Sequence, residues 1–409
     1  MKESPFITCE HCDAAAENKH YFAPEEPEPV MQAGRPSLLI HTEGVIVMFQ
    51  LRTYTHPDFT QEPFVSAPNA RFVAVEKDGV APENFHAMSI YPEYMKVDGK
   101  WLLAEESRMD CVAVLEDGRI VIKEFRLLKK GEKVLVGRTE NCEDGIYLHA
   151  NGFHEYDENA QDVFAFRRNR SRETAYSLDY NELYDVLRHD RDHGKIVWVM
   201  GPAFAFDRDA REAMSKLIEG GYVHAILAGN ALATHDLEGA YMGTALGQDI
   251  YTHISQPNGH YNHLETINRV RHHGSIANFI REEKIDNGII YSCEKCGVPY
   301  ILGGSIRDDG PLPPVYADVY AAQDAMRNEI RSATTVICMA TMLHTIATGN
   351  MTPSYRVLPD GTVRQVYFYC VDVSEFAVNK LADRGSLSAR GIVTNVQDFV
   401  VLLQKALQS

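Results

Sequence analysis

Five short, predominantly apolar runs in the second half of the chain, at 196–200, 223–227, 335–339, 366–373 and 392–396, are separated by segments with helical apolar spacing. A strand that reads as a continuous apolar run must be covered on both faces, and strands separated by helices pair in parallel. The pattern predicts a parallel α/β sheet between helices, the latter near 207–219, through 266–282, near 374–382 and closing at Leu407. Ligands of such sheets bind beyond the carboxyl ends of the strands, so the residues that follow the runs are where chemistry is expected.

The first half follows another rhythm. Short β-branched or aromatic runs at 45–49, 72–75 and 111–115 are punctuated by Asp-Gly pairs at 78–79, 98–99 and 117–118. Asp-Gly suits the positive φ angles of a tight hairpin, so antiparallel hairpins are predicted. Residues 155–175 are polar, without apolar periodicity, and carry Arg167, Arg168, Arg170 and Arg172. They read as a linker, with contact to an anionic ligand at a domain seam as the alternative for the arginines. The expected division is an N-terminal arm over 1–37, a smaller β-rich domain over 38–165 and an α/β catalytic domain over 176–409. A chain of 409 residues accommodates this, at roughly 100–200 residues per domain.

A formal charge of −17 repels phosphate backbones and anionic headgroups, which disfavours nucleic acid and membrane as partners and favours a small zwitterionic or cationic one. The opening Met1-Lys2-Glu3-Ser4-Pro5 lacks the charged-then-apolar pattern of an export signal, so a cytoplasmic location is expected. In that compartment the eight cysteines stay reduced. Two Cys-x-x-Cys pairs, Cys9 with Cys12 and Cys293 with Cys296, have the spacing of zinc knuckles, and four thiolates would make a structural zinc site. Redox use and incidental thiols are the alternatives.

Small residues follow the second run, Gly229-Asn230-Ala231, with His235 and Asp236 beyond them; Ala340-Thr341-Met342-Leu343-His344 follows the third. Their backbone amides suit a pyrophosphate. Asp372 closes the fourth run, where a carboxylate can accept from both ribose hydroxyls of a dinucleotide and so prefer NAD over NADP. The G-x-G-x-x-G fingerprint is absent, which leaves ordinary strand-end turns as the competing reading. The densest polar constellation is Gly303-Gly304-Ser305-Ile306-Arg307-Asp308-Asp309-Gly310-Pro311-Leu312-Pro313. An arginine beside two aspartates can clamp an amino acid's carboxylate while a carboxylate holds an ammonium or takes a proton; a surface salt-bridge loop is the bland alternative. Histidines gather over 253–273, at spacings that match no standard zinc helix.

From about 195 to 403 these motifs, together with Gly349-Asn350-Met351-Thr352-Pro353 and Asp383-Arg384-Gly385-Ser386, resemble the archaeal-type ornithine cyclodeaminases. They also resemble the carboxy-terminal part of the cyanobacterial bifunctional arginine dihydrolase/ornithine cyclodeaminases, a lysine-oxoglutarate reductase/saccharopine dehydrogenase conserved region. A weaker likeness runs through Val97-Asp98-Gly99-Lys100-Trp101 and Arg108-Met109-Asp110. The resemblance implies a Rossmann-like, deoxyhypusine synthase-like sheet. It also implies a bound NAD that is reduced and reoxidised within one turnover as ornithine becomes proline and ammonia. Carried over residue by residue, it places NAD contacts at Asn230, Ala231, Asp309, Thr341, Met342, Leu343, His344, Asp372 and Val396. The family usually has aspartate where this chain has Asn395, so that contact carries no charge here, and a hairpin at 354–365 enlarges the loop before Asp372. The catalytic roles expected are carboxylate binding by Arg307, ammonium binding or proton transfer by Asp308 or Asp309, and acid–base work by His235 or His344. An ordinary amino-acid dehydrogenase and a catalytically silent NAD- or metabolite-binding protein are the rival readings. By analogy with the sheet family, a homo-oligomer, dimer or tetramer, is expected.

Overall fold

The computed structural model describes residues 38–40, 46–48, 50–154, 177–305, 311–374 and 386–408. Six parallel strands of the second half form one sheet: β1 (Ile196–Met200), β2 (Ala225–Gly229), β3 (Tyr300–Gly303), β4 (Thr335–Met339), β5 (Tyr367–Asp372) and β6 (Ala389–Val393). Their order is β3-β2-β1-β4-β5-β6, so chain progression reverses between β1 and β4. The described helices are α1 (Ser177–His193), α2 (Arg208–Glu219), α3 (Asn230–Met242), α4 (Asn262–His273), α5 (Ile276–Glu282), α6 (Ile289–Cys296), α7 (Val319–Ile330), α8 (Met342–Met351) and α9 (Val396–Gln408).

Side chains of each strand alternate between two cores, as the pleat demands. Ile196, Trp198 and Met200 face one core with Ile226, Tyr369 and Val371, which α1, α2, α3, α6 and α9 cover with residues such as Leu187, Met214 and Phe399. Val197 and Val199 face the other with Leu227, Val336, Cys338 and Phe368, covered by Met326 and Ile330 of α7 and Met351 of α8. Both faces are dry, which is why the strands read as unbroken apolar runs. Each fully buried side chain of this size contributes about 1.5–3 kcal/mol.

Two expected boundaries move. The run at 392–396 predicts a single strand, but β6 ends at Val393 and α9 begins at Val396. Asn395 decides this: its Oδ1 accepts from the backbone N–H of Gln397 at 2.8 Å and of Asp398 at 3.2 Å, a helix cap that outweighs the local β propensity. The strand expected at 223–227 is β2, two residues later, and α3 follows it with no intervening loop. The helix expected near 374–382 and the arginines of 155–175 lie outside the described residues.

The first half is antiparallel. Arg71–Ala74, Lys133–Val136, Val112–Glu116 and Arg119–Lys123 make a four-stranded sheet, and Ile146–Leu148, Glu93–Val97 and Lys100–Leu103 a three-stranded one. Asp98-Gly99 and Asp117-Gly118 both take positive φ, the tight hairpin geometry expected of Asp-Gly. Met95, Ala113, Ile120 and Leu135 form its core. The hairpin Tyr355–Val357/Val363–Gln365 docks this region on the parallel sheet: Tyr355 Oη donates to the Ala104 carbonyl at 2.7 Å, and Ser354 N to the Ser107 carbonyl at 3.0 Å. Among the described residues no helix is long and apolar enough to cross a membrane.

Candidate functional site

The reversal of strand order opens a crevice at the carboxyl ends of β1 and β4, the position where doubly wound sheets hold ligands. Gly201 follows β1 and Ala340 follows β4, and the Gly201 N–H donates to the Met339 carbonyl at 2.9 Å. A methyl on Gly201 would lie 1.9 Å from the Ala340 carbonyl oxygen, so only glycine fits. Ala340 itself sits at φ +53°, a left-handed conformation that a residue with Cβ holds only where its surroundings enforce it. This turn aims the start of α8 across the crevice.

The helices that leave β2 and β4 at the crevice start without side-chain caps. Asp207 caps α2, Asp318 caps α7 and Asn395 caps α9 through side-chain oxygens. By contrast, α3 starts from Gly229 and α8 from Thr341, with no side-chain cap on either among the described residues. Their first backbone N–H groups are left for a ligand, and the helix dipole favours an anionic one. Met342 and Leu343, in the first turn of α8, are exposed.

The glycines at the ends of β2 and β3 make room for His344. A methyl on Gly229 would meet His344 Cε1 at 2.9 Å, and one on Gly303 would meet Nε2 at 3.8 Å. The imidazole thus lies across two strand ends, with Thr341 Oγ1 3.4 Å from Nδ1. Burial lowers its pKa, so the ring is neutral at physiological pH and can donate or accept without bringing charge. On the other side, Ala340, Thr341, Met342, Thr345, Cys370, Val371 and Asp372 line a narrow, shallow cleft. One Asp372 oxygen accepts from Ser374 N at 2.8 Å; the other has no partner among the described residues. A half-buried carboxylate with one oxygen uncommitted is suited to a pair of vicinal hydroxyls.

The structure therefore brings Asn230, Ala231, Thr341, Met342, Leu343, His344 and Asp372 to one edge of the sheet. Asn230 Oδ1 accepts from Leu312 N at 3.0 Å, which ties the polar loop after β3 to the start of α3. Arg307, Asp308 and Asp309 of that loop lie outside the described residues, although its flanks at Gly304 and Leu312 are held at this edge. Asn395 and Val396 stand at the start of α9 beyond β6, where the Asn395 side chain is engaged in capping and Val396 is buried. Aspartate and asparagine cap equally well, so the exchange at Asn395 preserves the turn.

His235 lies in the second turn of α3, its Nδ1 3.0 Å from Glu238 Oε2 and its ring against Phe206 and His263. Asp236 is structural: it binds Arg211 Nε at 2.8 Å and the Ile290 N–H at 2.8 Å, joining α3 to α2 and α6. Glu238, wholly buried, escapes sequence reasoning because an acidic residue in a helix ordinarily reads as solvated surface.

The zinc expectation gains no support. Cys9 and Cys12 lie outside the described residues. Cys293 and Cys296, at i and i+3 on α6, turn into the apolar core, and burial raises the Cys293 thiol well above its ordinary pKa, the reverse of what a thiolate ligand needs. Among the described residues no three His, Cys, Asp or Glu side chains converge as a metal site. A larger pocket, about 560 Å³ between α2, α3 and the segment before α6, lies away from the strand ends. Its charged lining is largely committed, Arg208 to Glu212 and Arg211 to Asp236, so the crevice remains the candidate.

Comparison with known proteins agrees with the fold. The family described as arginine dihydrolase ArgZ-like, C-terminal, Rossmann fold, matches residues 181–403. The ornithine cyclodeaminase of Methanocaldococcus jannaschii is 38% identical over 342 residues, covering 81% of this chain and 76% of the relative. The bifunctional arginine dihydrolase/ornithine cyclodeaminase AgrE of Nostoc sp. is 36% identical over 83% of this chain and 47% of the relative, so this chain spans about half of it. Among solved structures, a conserved LOR/SDH protein of Methanococcus maripaludis S2 superposes with a TM-score of 0.74 at 36% identity, over 83% of this chain and 98% of that one. A ternary complex of AgrE with ornithine and NAD+ gives a TM-score of 0.52 at 35% identity, over 84% of this chain and 46% of that one.

Proposed function

Because this chain belongs to the ArgZ-like C-terminal Rossmann family, we propose that it is an NAD-dependent ornithine cyclodeaminase, an ammonia-lyase that converts ornithine to proline. The observation that carries the reading is the convergence of an uncapped α8 start, the half-committed Asp372 carboxylate and His344 at the reversal point of the sheet. These residues fit a dinucleotide: backbone N–H groups from Met342 to His344 for the pyrophosphate, Asp372 for the adenosine ribose hydroxyls, and Asn230 and Ala231 at the start of α3 for the remainder, with Asp309 added as a contact by the resemblance alone. Val396 and Asn395 border the cofactor side. NAD, when bound, supplies a hydride acceptor that also gives the hydride back, which makes the deamination redox-neutral.

The protein's own residues bind and move protons. Arg307 holds the substrate carboxylate in bidentate fashion, and Asp308 holds an ammonium. His235, its Nδ1 bonded to Glu238, presents Nε2 as the group that takes and returns a proton. The negative surface draws a basic amino acid inward.

The test is incubation of the NAD-loaded protein with L-ornithine. Proline and ammonia are expected in equal amounts with no net NADH. Accumulating NADH with an oxo acid would make it a dehydrogenase, and unchanged ornithine with bound NAD would make it a binding protein.

A further inference from the structure

Resting on that reading, we propose that Glu238 is a positioning residue that fixes the tautomer and orientation of His235. Four donors converge on the two oxygens of this wholly buried carboxylate. Thr244 Oγ1 at 2.9 Å and Gly247 N at 2.9 Å reach Oε1; Leu246 N at 3.1 Å and His235 Nδ1 at 3.0 Å reach Oε2. Three of these directions are fixed, and the fourth, at His235 Nδ1, is the one proposed. Backbone N–H groups only donate, and Thr244 Oγ1 already accepts from Asn262 Nδ2 at 2.8 Å, so its own proton goes to Glu238. An oxygen pair engaged as acceptors throughout leaves Nδ1 of His235 to carry the proton, and neutral imidazole then has its lone pair at Nε2.

That outcome differs from a histidine left to itself, whose ring turns freely and exchanges tautomers. Here the i,i+3 bond holds one end of the ring against the helix while Phe206 and His263 flank the other, with ring centroids 5.5 and 6.1 Å away. The side chain is 10% exposed, and Nε2 makes no hydrogen bond among the described residues. A buried carboxylate used only to secure the turn at 244–247 would need no histidine on its second oxygen. With it, the turn, the start of α4 and the acid–base group form one hydrogen-bonded chain running Asn262, Thr244, Glu238, His235.

The experiment is the imidazole 15N–1H spectrum of histidine-labelled protein, with His235→Asn for assignment. It is read beside NAD affinity and ornithine turnover of Glu238→Gln and Thr244→Val. Wild-type His235 is expected as the Nδ1-protonated form. Glu238→Gln is expected to mix the tautomers and lower kcat about 100-fold, with KM and the NAD dissociation constant within about twofold. Thr244→Val, which spares Oε2, should keep the tautomer and stay within about threefold in kcat. An Nε2-protonated His235 in the wild type, or an unchanged kcat in Glu238→Gln, overturns the assignment. Should Glu238→Gln not fold, the wild-type spectrum still decides it. Absence of ornithine turnover in the wild type defeats the functional reading and leaves the tautomer to judge Glu238 alone.

Discussion

Asp190, near the end of α1, shows what a single buried carboxylate does when every neighbour donates. Thr334 Oγ1 lies at 2.6 Å, Thr335 Oγ1 and His189 Nδ1 at 2.8 Å, and the Arg364 guanidinium completes the set. Burial by itself raises this pKa, but the bonds from His189, Arg364 and Thr334 outweigh it and bring the group down to about 2 from 3.8. A folded-state pKa below the unfolded one contributes stability that is complete above the unfolded value and lost as the pH falls through the folded value. That contribution is about 2 kcal/mol. Asp190→Asn should therefore lower the unfolding free energy by about 2–4 kcal/mol near neutral pH, and urea titrations repeated at falling pH should show the gap to wild type closing below pH 3.8. Asp372 belongs to the same scale but to function. Replacing it with serine should weaken NAD binding about tenfold and narrow the preference over NADP, read by equilibrium dialysis with both dinucleotides.

At the scale of elements, the crevice depends on two strands that end almost in contact. Gly201 allows β1 and β4 to approach, and the left-handed turn at Ala340 then sends α8 off with its first N–H groups facing the reversal point. Gly201→Ala places a methyl against a backbone carbonyl, which cannot swing aside as a side chain would. The β4–α8 turn must move instead. The expected cost is about 1–3 kcal/mol in stability, seen as a lower urea midpoint, together with weaker NAD binding because the start of α8 is displaced. Unchanged NAD affinity in a folded Gly201→Ala protein would separate the turn from the cofactor site.

Across the whole molecule, the β-rich region and the parallel sheet meet through charge as well as through the Tyr355 hairpin. Glu124 stands between Arg108 of its own region, at 2.5 Å, and Arg327 of α7, at 2.8 Å, while Arg126 reaches Asp324 of the same helix. Burial pushes the Glu124 pKa up, but the two guanidinium groups outweigh it and hold the group ionised. Removing that charge leaves two buried arginines, 2% and 4% exposed, each with one remaining carboxylate, Glu106 for Arg108 and Asp324 for Arg327. Glu124→Gln should cost about 1–3 kcal/mol. Tryptophan fluorescence and circular dichroism followed through urea should then no longer coincide, as the two regions uncouple.

Much of the local structure was written in the chain. Unbroken apolar runs mark the strands, Asp98-Gly99 and Asp117-Gly118 mark hairpins, and the strand-end residues from Asn230 to Asp372 stand out in the sequence. These features are legible because propensity and burial period act within a few residues. The strand order, the contact of Gly201 with Ala340, the placement of His344 over Gly229 and the acceptor role of Glu238 were not. Asn395 shows the boundary between the two: a cofactor contact by resemblance, a helix cap by geometry. Tertiary structure decided these because each depends on elements far apart in sequence meeting in space, and the free energy that selects their arrangement arises only when the two cores close.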